Sequence, residues 1–250
     1  MEPELKIDEQ IDTLLNGHKI IQNPKKFMFG IDAVLLSYFA SSEIRKNDTV
    51  IDLGTGTGII PLLLETSSNA RNIFALEIQN ESADMAKRSV EINNLQEKIK
   101  IIQGDIKTVS ENFEKYSFNA VTSNPPYMIN EHGKQNPNDA KKIARHEILC
   151  NLEDVISAAE YLLKPNGRFF MIHRPFRLSE IFGLLQKYKM EPKRMQLVYP
   201  FIDKEPNIVL IEARKNANPR LTIEKPLFVY DQPGIYTQEI NQIYNSFKIN

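Results

Sequence analysis

Five residues carrying three glycines, Gly54-Thr55-Gly56-Thr57-Gly58, join the β-branched run Thr49-Val50-Ile51-Asp52-Leu53 to the apolar stretch Ile59-Ile60-Pro61-Leu62-Leu63-Leu64. A strand passing through a glycine turn into a helix constrains the fold strongly, because parallel neighbours need a long crossover and a helix supplies it. Pro61 is tolerable in the helix's first turn, where N–H groups have no intrahelical partner to lose. From about residue 47 to 190 strand-like and helical patterns alternate in the same way, which predicts a doubly wound α/β fold with a mostly parallel sheet and helices on both faces.

Within that stretch the second strand is Asn72–Glu77, the third Lys100–Gln103, the fourth Phe118–Ser123 and the fifth Gly167–Ile172. Helices are predicted over Glu81–Asn94, whose apolar Ala83, Ala86, Val90 and Ile92 keep helical spacing, over Leu152–Leu163 and over about Leu178–Tyr188. Pro165-Asn166-Gly167 marks a turn. Two further β-rich runs, Lys193–Tyr199 and Asn207–Ala213, read as a long hairpin closing the sheet. Residues 1–46, with the amphipathic Ile31–Ala40, form an extension expected to pack over the cofactor site. The catalytic domain is set at 47–215, and 216–250, broken by Pro219, Pro226 and Pro233, is a tail expected to pack on it.

The glycine turn lets a ligand approach the backbone at a helix N-terminus, where free N–H groups favour polar or anionic partners. Ile59 stands where a dinucleotide fingerprint wants glycine, and the Lys-Ser/Thr pair of a phosphate loop is absent, so the spacing favours S-adenosylmethionine over NAD or ATP. Glu77 ends the second strand, placed to accept two ribose hydroxyls or, in the plainer reading, to cap a helix. Asp105, after Gly104, is placed either to accept from an adenine amino group or to cap the next helix.

Asn124-Pro125-Pro126-Tyr127 ends the fourth strand. An exocyclic amine or amide nitrogen is a poor nucleophile because its lone pair is delocalised. Hydrogen bonds from its two N–H groups to the Asn124 side-chain oxygen and the Pro125 carbonyl bias it toward tetrahedral geometry without a strong base. The prolines stiffen the turn, and the Tyr127 ring offers a face to an extruded base. Asn124 is therefore an orienter, and a planar amine is the expected methyl acceptor. No metal is needed.

Together Phe29–Leu36, Val50–Leu64, Asn124–Tyr127, Ile143-Ala144-Arg145-His146-Glu147 and the tail Phe228-Val229-Tyr230-Asp231 with Tyr236-Thr237 resemble the tRNA(Val) adenine-37 N6-methyltransferases, in the form found in Gram-positive bacteria. The resemblance covers nearly the whole chain. It implies a Rossmann-like class I methyltransferase with a seven-stranded sheet in the order 3-2-1-4-5-7-6, acting on the adenosine 3′ of the anticodon with S-adenosylmethionine. It further implies that Asp52, Gly54, Gly56, Glu77 and Asp105 bind cofactor, with Thr55, Ile78, Ile106 and Asn124 completing that set. Asn124, Pro125, Pro126 and Tyr127 would hold the adenine. Asp32 falls over the methionine end of the cofactor, or is a buried helix cap.

RNA contacts are expected from Lys134 and Arg145 in the stretch after the catalytic turn, and from Arg174 and Arg177 just after the fifth strand. His146, between Arg145 and Glu147, reads as part of an ion-pair network rather than a catalytic acid. The loop of about fifteen residues containing Lys134–Lys142 is placed to close over RNA. Residues 164–194 hold eight Lys/Arg against Glu180 and Glu191, which suits phosphate contact or a solvated helix face equally. The total, Lys+Arg 31 against Asp+Glu 32 for a net charge of −1, carries no nucleic-acid footprint by itself. Cys150, the only cysteine, can make neither an internal disulfide nor a zinc site. With an acidic N-terminus and no long apolar run, a cytoplasmic monomer or weak dimer without a membrane segment is expected. Rival readings are methylation of a protein glutamine amide or an rRNA guanine amine, and a non-catalytic RNA-binding protein on the same fold.

Overall fold

Side chains alternate across a strand, and this chain uses the alternation to fill two cores, one on each face of a single sheet. The computed structural model describes residues 4–25, 30–127 and 150–248. An N-terminal hairpin, β1 (Gln10–Thr13) and β2 (Lys19–Gln22), precedes α1 (Ile31–Ser41). Then follow β3 (Thr49–Leu53), α2 (Ile59–Ser67), β4 (Asn72–Glu77), α3 (Asn80–Ile92), β5 (Ile99–Gln103), a 3-10 turn at Ile106–Glu111, and β6 (Phe118–Ser123). After residue 150 come α4 (Leu152–Leu162), β7 (Leu163–His173), α5 (Leu178–Lys187), β8 (Met190–Tyr199) and β9 (Ile208–Lys215). The tail adds β10 (Thr222–Ile223), β11 (Leu227–Phe228), β12 (Tyr230–Gln232), β13 (Ile235–Tyr236) and α6 (Gln238–Ser246).

The main sheet runs β5-β4-β3-β6-β7-β9-β8 across its long strands, so counting from the glycine-turn strand the order is 3-2-1-4-5-7-6. The first five are parallel, and β9 inserts antiparallel between β7 and β8 as the long hairpin requires. The sheet has nine strands rather than seven, because β10 and β11 both pair in parallel with the outer edge of β8. The prolines of the tail therefore punctuate short strands and do not exclude regular structure. The amino-terminal hairpin, absent from the sequence reading, is tied to α3 by the Ser89 hydroxyl, which accepts from the Ile21 N–H at 2.8 Å.

The alternation is plain along β7: Phe169 and Met171 join the core with α4 and α5, whereas Phe170 and Ile172 join the core with α1, α2 and α6. Phe170 meets Phe39 of α1 edge-on, ring centres 6.4 Å apart. In α6, Ile240 and Ile243 keep helical spacing and, with the following Phe247, close the same core. Truncating any such buried side chain to alanine typically costs about 2–5 kcal/mol. Pro165-Asn166-Gly167, expected as a turn, is an irregular entry into β7: Asn166 adopts φ 60° and the pairing with β6 shifts register. No helix among the described residues is long and apolar enough to cross a membrane.

Candidate active site

In an open α/β sheet ligands bind outside the carboxyl ends of the strands, and the chemistry-bearing side chains gather there. After β3 the chain turns through Gly54 (φ 74°), Gly56 (φ 59°) and Gly58 (φ 88°). Gly54 and Thr55 both donate to the Leu76 carbonyl, at 2.9 and 3.1 Å, binding the turn to β4. A Cβ on Gly56 would project into open space, while one on Gly58 would lie 3.2 Å from the Ala86 Cβ, so the third glycine lets α2 approach α3. The turn is thus open on one side and tightly backed on the other, the form of a cradle for a ligand.

Asp52 lies beneath this cradle, wholly buried, with Oδ1 accepting from the Thr122 hydroxyl at 2.7 Å. Among the described residues its Oδ2 and the Thr55 hydroxyl make no hydrogen bond of ordinary geometry, although the hydroxyl lies close enough to favour the charged carboxylate. Burial pushes the Asp52 carboxyl up to about 7, against the pull of the Thr122 and Thr55 hydroxyls and with a further push from Glu77. Glu77, at the end of β4, accepts from the Gly56 N–H and the Gln79 N–H, both at 2.8 Å, so one carboxylate ties two loops together. Each of its oxygens keeps a second acceptor site. Ile78 follows it half-buried, and Ile106 is half-buried with its methyl 3.8 Å from where a Gly54 Cβ would stand. Asp105 takes the capping role: Oδ1 accepts from the Lys107 N–H at 2.9 Å at the head of the 3-10 turn.

The residues fit S-adenosylmethionine on these grounds: an open glycine cradle, a carboxylate with spare acceptor sites beside it, and beneath them Asp52 and Thr55 oxygens that make no hydrogen bond of ordinary geometry. Half-buried Ile78 and Ile106 suit the faces of a planar base.

Beyond Ser123 the catalytic turn places Pro125 buried and Pro126 exposed. The Tyr127 hydroxyl lies 2.8 Å from Asn124 Oδ1 and 2.9 Å from Asp32 Oδ2, in the first turn of α1, sharing its one proton between them. Burial, with the Asp32 charge adding to it, pushes the Tyr127 phenol well above its usual range, so it stays a donor. Thus the phenol occupies the acceptor expected to receive a substrate amine. The Arg174 guanidinium lies 4.5 Å from the Tyr127 ring centre, and the His173 ring meets it edge-on at 5.2 Å. Asp32 is therefore joined to the Asn-Pro-Pro-Tyr turn itself, and it makes no cap hydrogen bond at the start of α1.

His173 Nδ1 accepts from the Arg174 N–H at 2.8 Å, which assigns the ring proton to Nε2, a buried atom with no partner. Burial, helped by Arg177, lowers His173 to about 4, so the ring is neutral near pH 7. Sequence reasoning missed Thr122 and the His173 ring. The available signal was a polar residue interrupting an apolar strand at each position.

Of the expected RNA-contacting residues, Arg174 reaches the catalytic turn and also donates to the Asn207 carbonyl at 2.8 Å. Arg177 is engaged with Glu180 at 2.6 Å. Lys134, Arg145, His146 and the loop to Lys142 lie outside the described residues. The basic run 164–194 does not form one face. Arg168 is paired with Asp48, Lys187 with Glu153 and Arg194 with Glu212, while Arg174 and Arg177 sit at the opposite end of the sheet from Lys164 and Arg168.

Residues 31–190 match the family model for the methyltransferase small domain. A tRNA1(Val) (adenine(37)-N6)-methyltransferase of Porphyromonas gingivalis is 28% identical over 224 residues, covering 87% of each chain. One bearing the same name from Histophilus somni is 29% identical over 222 residues, 88% of this chain and 90% of its own. Among solved structures, a predicted O-methyltransferase from Agrobacterium tumefaciens superposes with a TM-score of 0.69 at 21% identity, over 88% of this chain and 98% of that one. The tRNA m1G37 methyltransferase of M. jannaschii gives 0.56 at 17% identity, over 84% and 55%. At those identities the structures speak to fold alone.

Proposed function

From the premise that the chain belongs to the methyltransferase small-domain family and takes S-adenosylmethionine as its cofactor, we propose that it methylates the exocyclic N6 of an adenosine in tRNA, adenosine 37 of valine tRNA. The observation that carries this reading is the Asn124 oxygen at the carboxyl end of β6, held at 2.8 Å by a phenol that offers a single donor and can be displaced. The names of the relatives from P. gingivalis and H. somni support adenine in tRNA over other planar amines.

Gly54, Thr55 and Gly56 would hold the cofactor's methionine end, with Glu77 at the ribose and Asp105, Ile78 and Ile106 around the base. When bound it supplies an electrophilic methyl group. The chain's own residues then do the positioning. The adenine N6–H groups replace the Tyr127 hydroxyl on Asn124 Oδ1 and bond the Pro125 carbonyl, turning the nitrogen lone pair toward the methyl. Released from Asn124, Tyr127 stacks on the extruded base, and Arg174 is free to meet a phosphate. Asn124 has no basicity with which to take a proton, so the surplus amine proton leaves to water after the N–C bond forms.

Transfer of labelled methyl from S-adenosylmethionine to purified tRNA, rRNA and protein release factor tests this. Label recovered as N6-methyladenosine beside the valine anticodon is the expected result. Label confined to rRNA guanine or to a glutamine amide would replace it with the corresponding reading, and no transfer to any would leave a binding protein.

A further inference from the structure

At the amino ends of the strands, away from the catalytic turn, a cleft of about 470 Å³ opens between the α1–β3 connection, the entry to β7 and the starts of β6 and β8. Its walls include Arg45, Lys164, Arg168, Lys193 and Arg214 against one carboxylate, Asp48, although the chain as a whole carries a net charge of −1. That volume is of ligand-pocket size and well beyond a single water or small ion.

The acids near the cleft are already used. Asp48 accepts from Arg168, Glu43 and Glu212 from Arg214, and Glu212 also from Arg194. Among the described residues the Lys164 ammonium has only the Asn119 side-chain oxygen, at 3.3 Å, and that of Lys193 only the Asn218 carbonyl, at 2.9 Å. The exposed Arg45 guanidinium makes no hydrogen bond or ion pair among the described residues. Three cations therefore line one cleft with no anionic partner. Arg168, 5% exposed, spends its terminal nitrogens on Asp48 and the Glu43 carbonyl, so Asp48 is not available to the other three. Like charges brought together without counter-charge cost free energy unless an anion joins them.

We propose that this cleft binds phosphodiester groups of the substrate RNA, remote from the methylated base. The inference rests on the tRNA reading above. Arg168 and His173 are five positions apart on β7, about 16 Å at the usual rise, which is about five nucleotides along one strand of a helix. The cleft and Tyr127 thus lie at opposite ends of one helix-covered sheet, and an RNA that meets both passes around its side. The cleft's cations hold the RNA without regard to sequence, leaving base identity to Asn124 and Tyr127.

The test is tRNA binding by fluorescence anisotropy from 50 to 200 mM salt, for the full chain and for Arg45→Gln/Lys164→Gln/Lys193→Gln. The triple variant is expected to lose about 2–3 from the slope of log affinity against log salt, with unchanged affinity for S-adenosylmethionine. A wild-type slope in the variant overturns the cleft. Calorimetry with inorganic pyrophosphate separates the sources: pyrophosphate bound by the wild type, together with an unchanged RNA slope in the variant, makes this a small-anion site and overturns the RNA assignment. If the triple variant melts early, Arg45→Gln alone decides, through a slope change of about one or none. A wild type that neither binds nor methylates tRNA fails the functional reading, an outcome distinct from wild-type binding that the variant leaves intact.

Discussion

The two ends of the sheet treat buried charge in opposite ways, although the same strands run between them. At the amino end, Arg168 meets Asp48, Glu43 meets Arg214, and buried Glu212 accepts from both Arg214 and Arg194. At the carboxyl end, Asp52 Oδ2, the Thr55 hydroxyl and His173 Nε2, all buried, make no hydrogen bond of ordinary geometry among the described residues. Strand β7 carries both extremes, Arg168 at one end and His173 at the other. A group left unsatisfied in the interior costs about 1–3 kcal/mol, so the carboxyl end is less stable than it need be. The difference lies in counter-charge. At the amino, anchored end the carboxylates of Asp48, Glu43 and Glu212 each meet a cation, even though Arg168 Nε is buried without a partner, whereas at the carboxyl, receptive end buried Asp52 meets none among the described residues.

The largest expected effect tests the anchored end. Arg168→Met leaves Asp48 buried without its partner and should lower unfolding free energy by about 3–5 kcal/mol, measured by urea denaturation. Adding Asp48→Asn should recover part of that loss, because the stranded charge is then gone. A single-variant loss under about 1 kcal/mol would show that the pair anchors nothing. At the receptive end, Asn124→Ala should lower turnover by about 100- to 1000-fold, the usual size for a group that orients the reacting atoms, while cofactor affinity by calorimetry stays within about twofold. An unchanged turnover would remove Asn124 from its assigned role.

Next in size is a pH effect confined to the receptive end. Asp52 is raised to about 7 from an unfolded value near 3.8, so the native state holds its proton more firmly and stability falls as pH rises through that window. His173 is lowered to about 4 from 6.5, so the native state holds its proton less firmly and stability rises with pH between those values. Between pH 4.5 and 6.5 the two oppose each other, above the acid range in which Glu65, lowered to about 2 by its His18 and Lys98 partners, adds its own dependence. The ligand-free wild type should therefore show a nearly flat profile there. Asp52→Asn should expose a rise of about 2–3 kcal/mol across the window, and His173→Phe a fall of similar size. Parallel slopes in the two variants would contradict the opposed pair.

Much of the anchored architecture was legible in the chain. The strands β3, β4 and β6 were legible because each is a short, mostly apolar run buried between helices, with its polar residues few: Asp52 in β3, Asn119 and Thr122 within β6. The place of the Asn-Pro-Pro-Tyr turn at the end of β6 was legible for a different reason: its prolines restrict its own backbone without tertiary context. Tyr127 was only half legible. Its ring was expected to lie open to a base, yet its hydroxyl is held by Asp32, a contact made possible only by the docking of α1 ninety-five residues earlier in the chain. In the tail, Ile240, Ile243 and Phe247 carried a helical spacing that the nearby prolines obscured. The hairpin Gln10–Gln22 had no periodic signal, since its short strands mix Gln, Asp and Lys with isoleucine and are held by α3.

Asp105 gives the smallest effect and the finest test of the contrast, because it stands at the receptive end yet does an anchoring task. Its Oδ1 caps the 3-10 turn through the Lys107 N–H, while Oδ2 lies 3.8 Å from the Lys107 ammonium. Alanine removes the cap and any acceptor for the cofactor's adenine amine, so Asp105→Ala should cost about 1 kcal/mol of stability and weaken S-adenosylmethionine. Serine caps as well as aspartate but is shorter. Asp105→Ser should therefore restore stability in thermal melts while leaving cofactor affinity about fivefold to tenfold reduced, the worth of one hydrogen bond. If serine restores both, Asp105 is a cap alone and belongs with the anchored residues. If it restores stability only, one carboxylate serves both ends' purposes, with one oxygen satisfied by the backbone and the other held for the ligand.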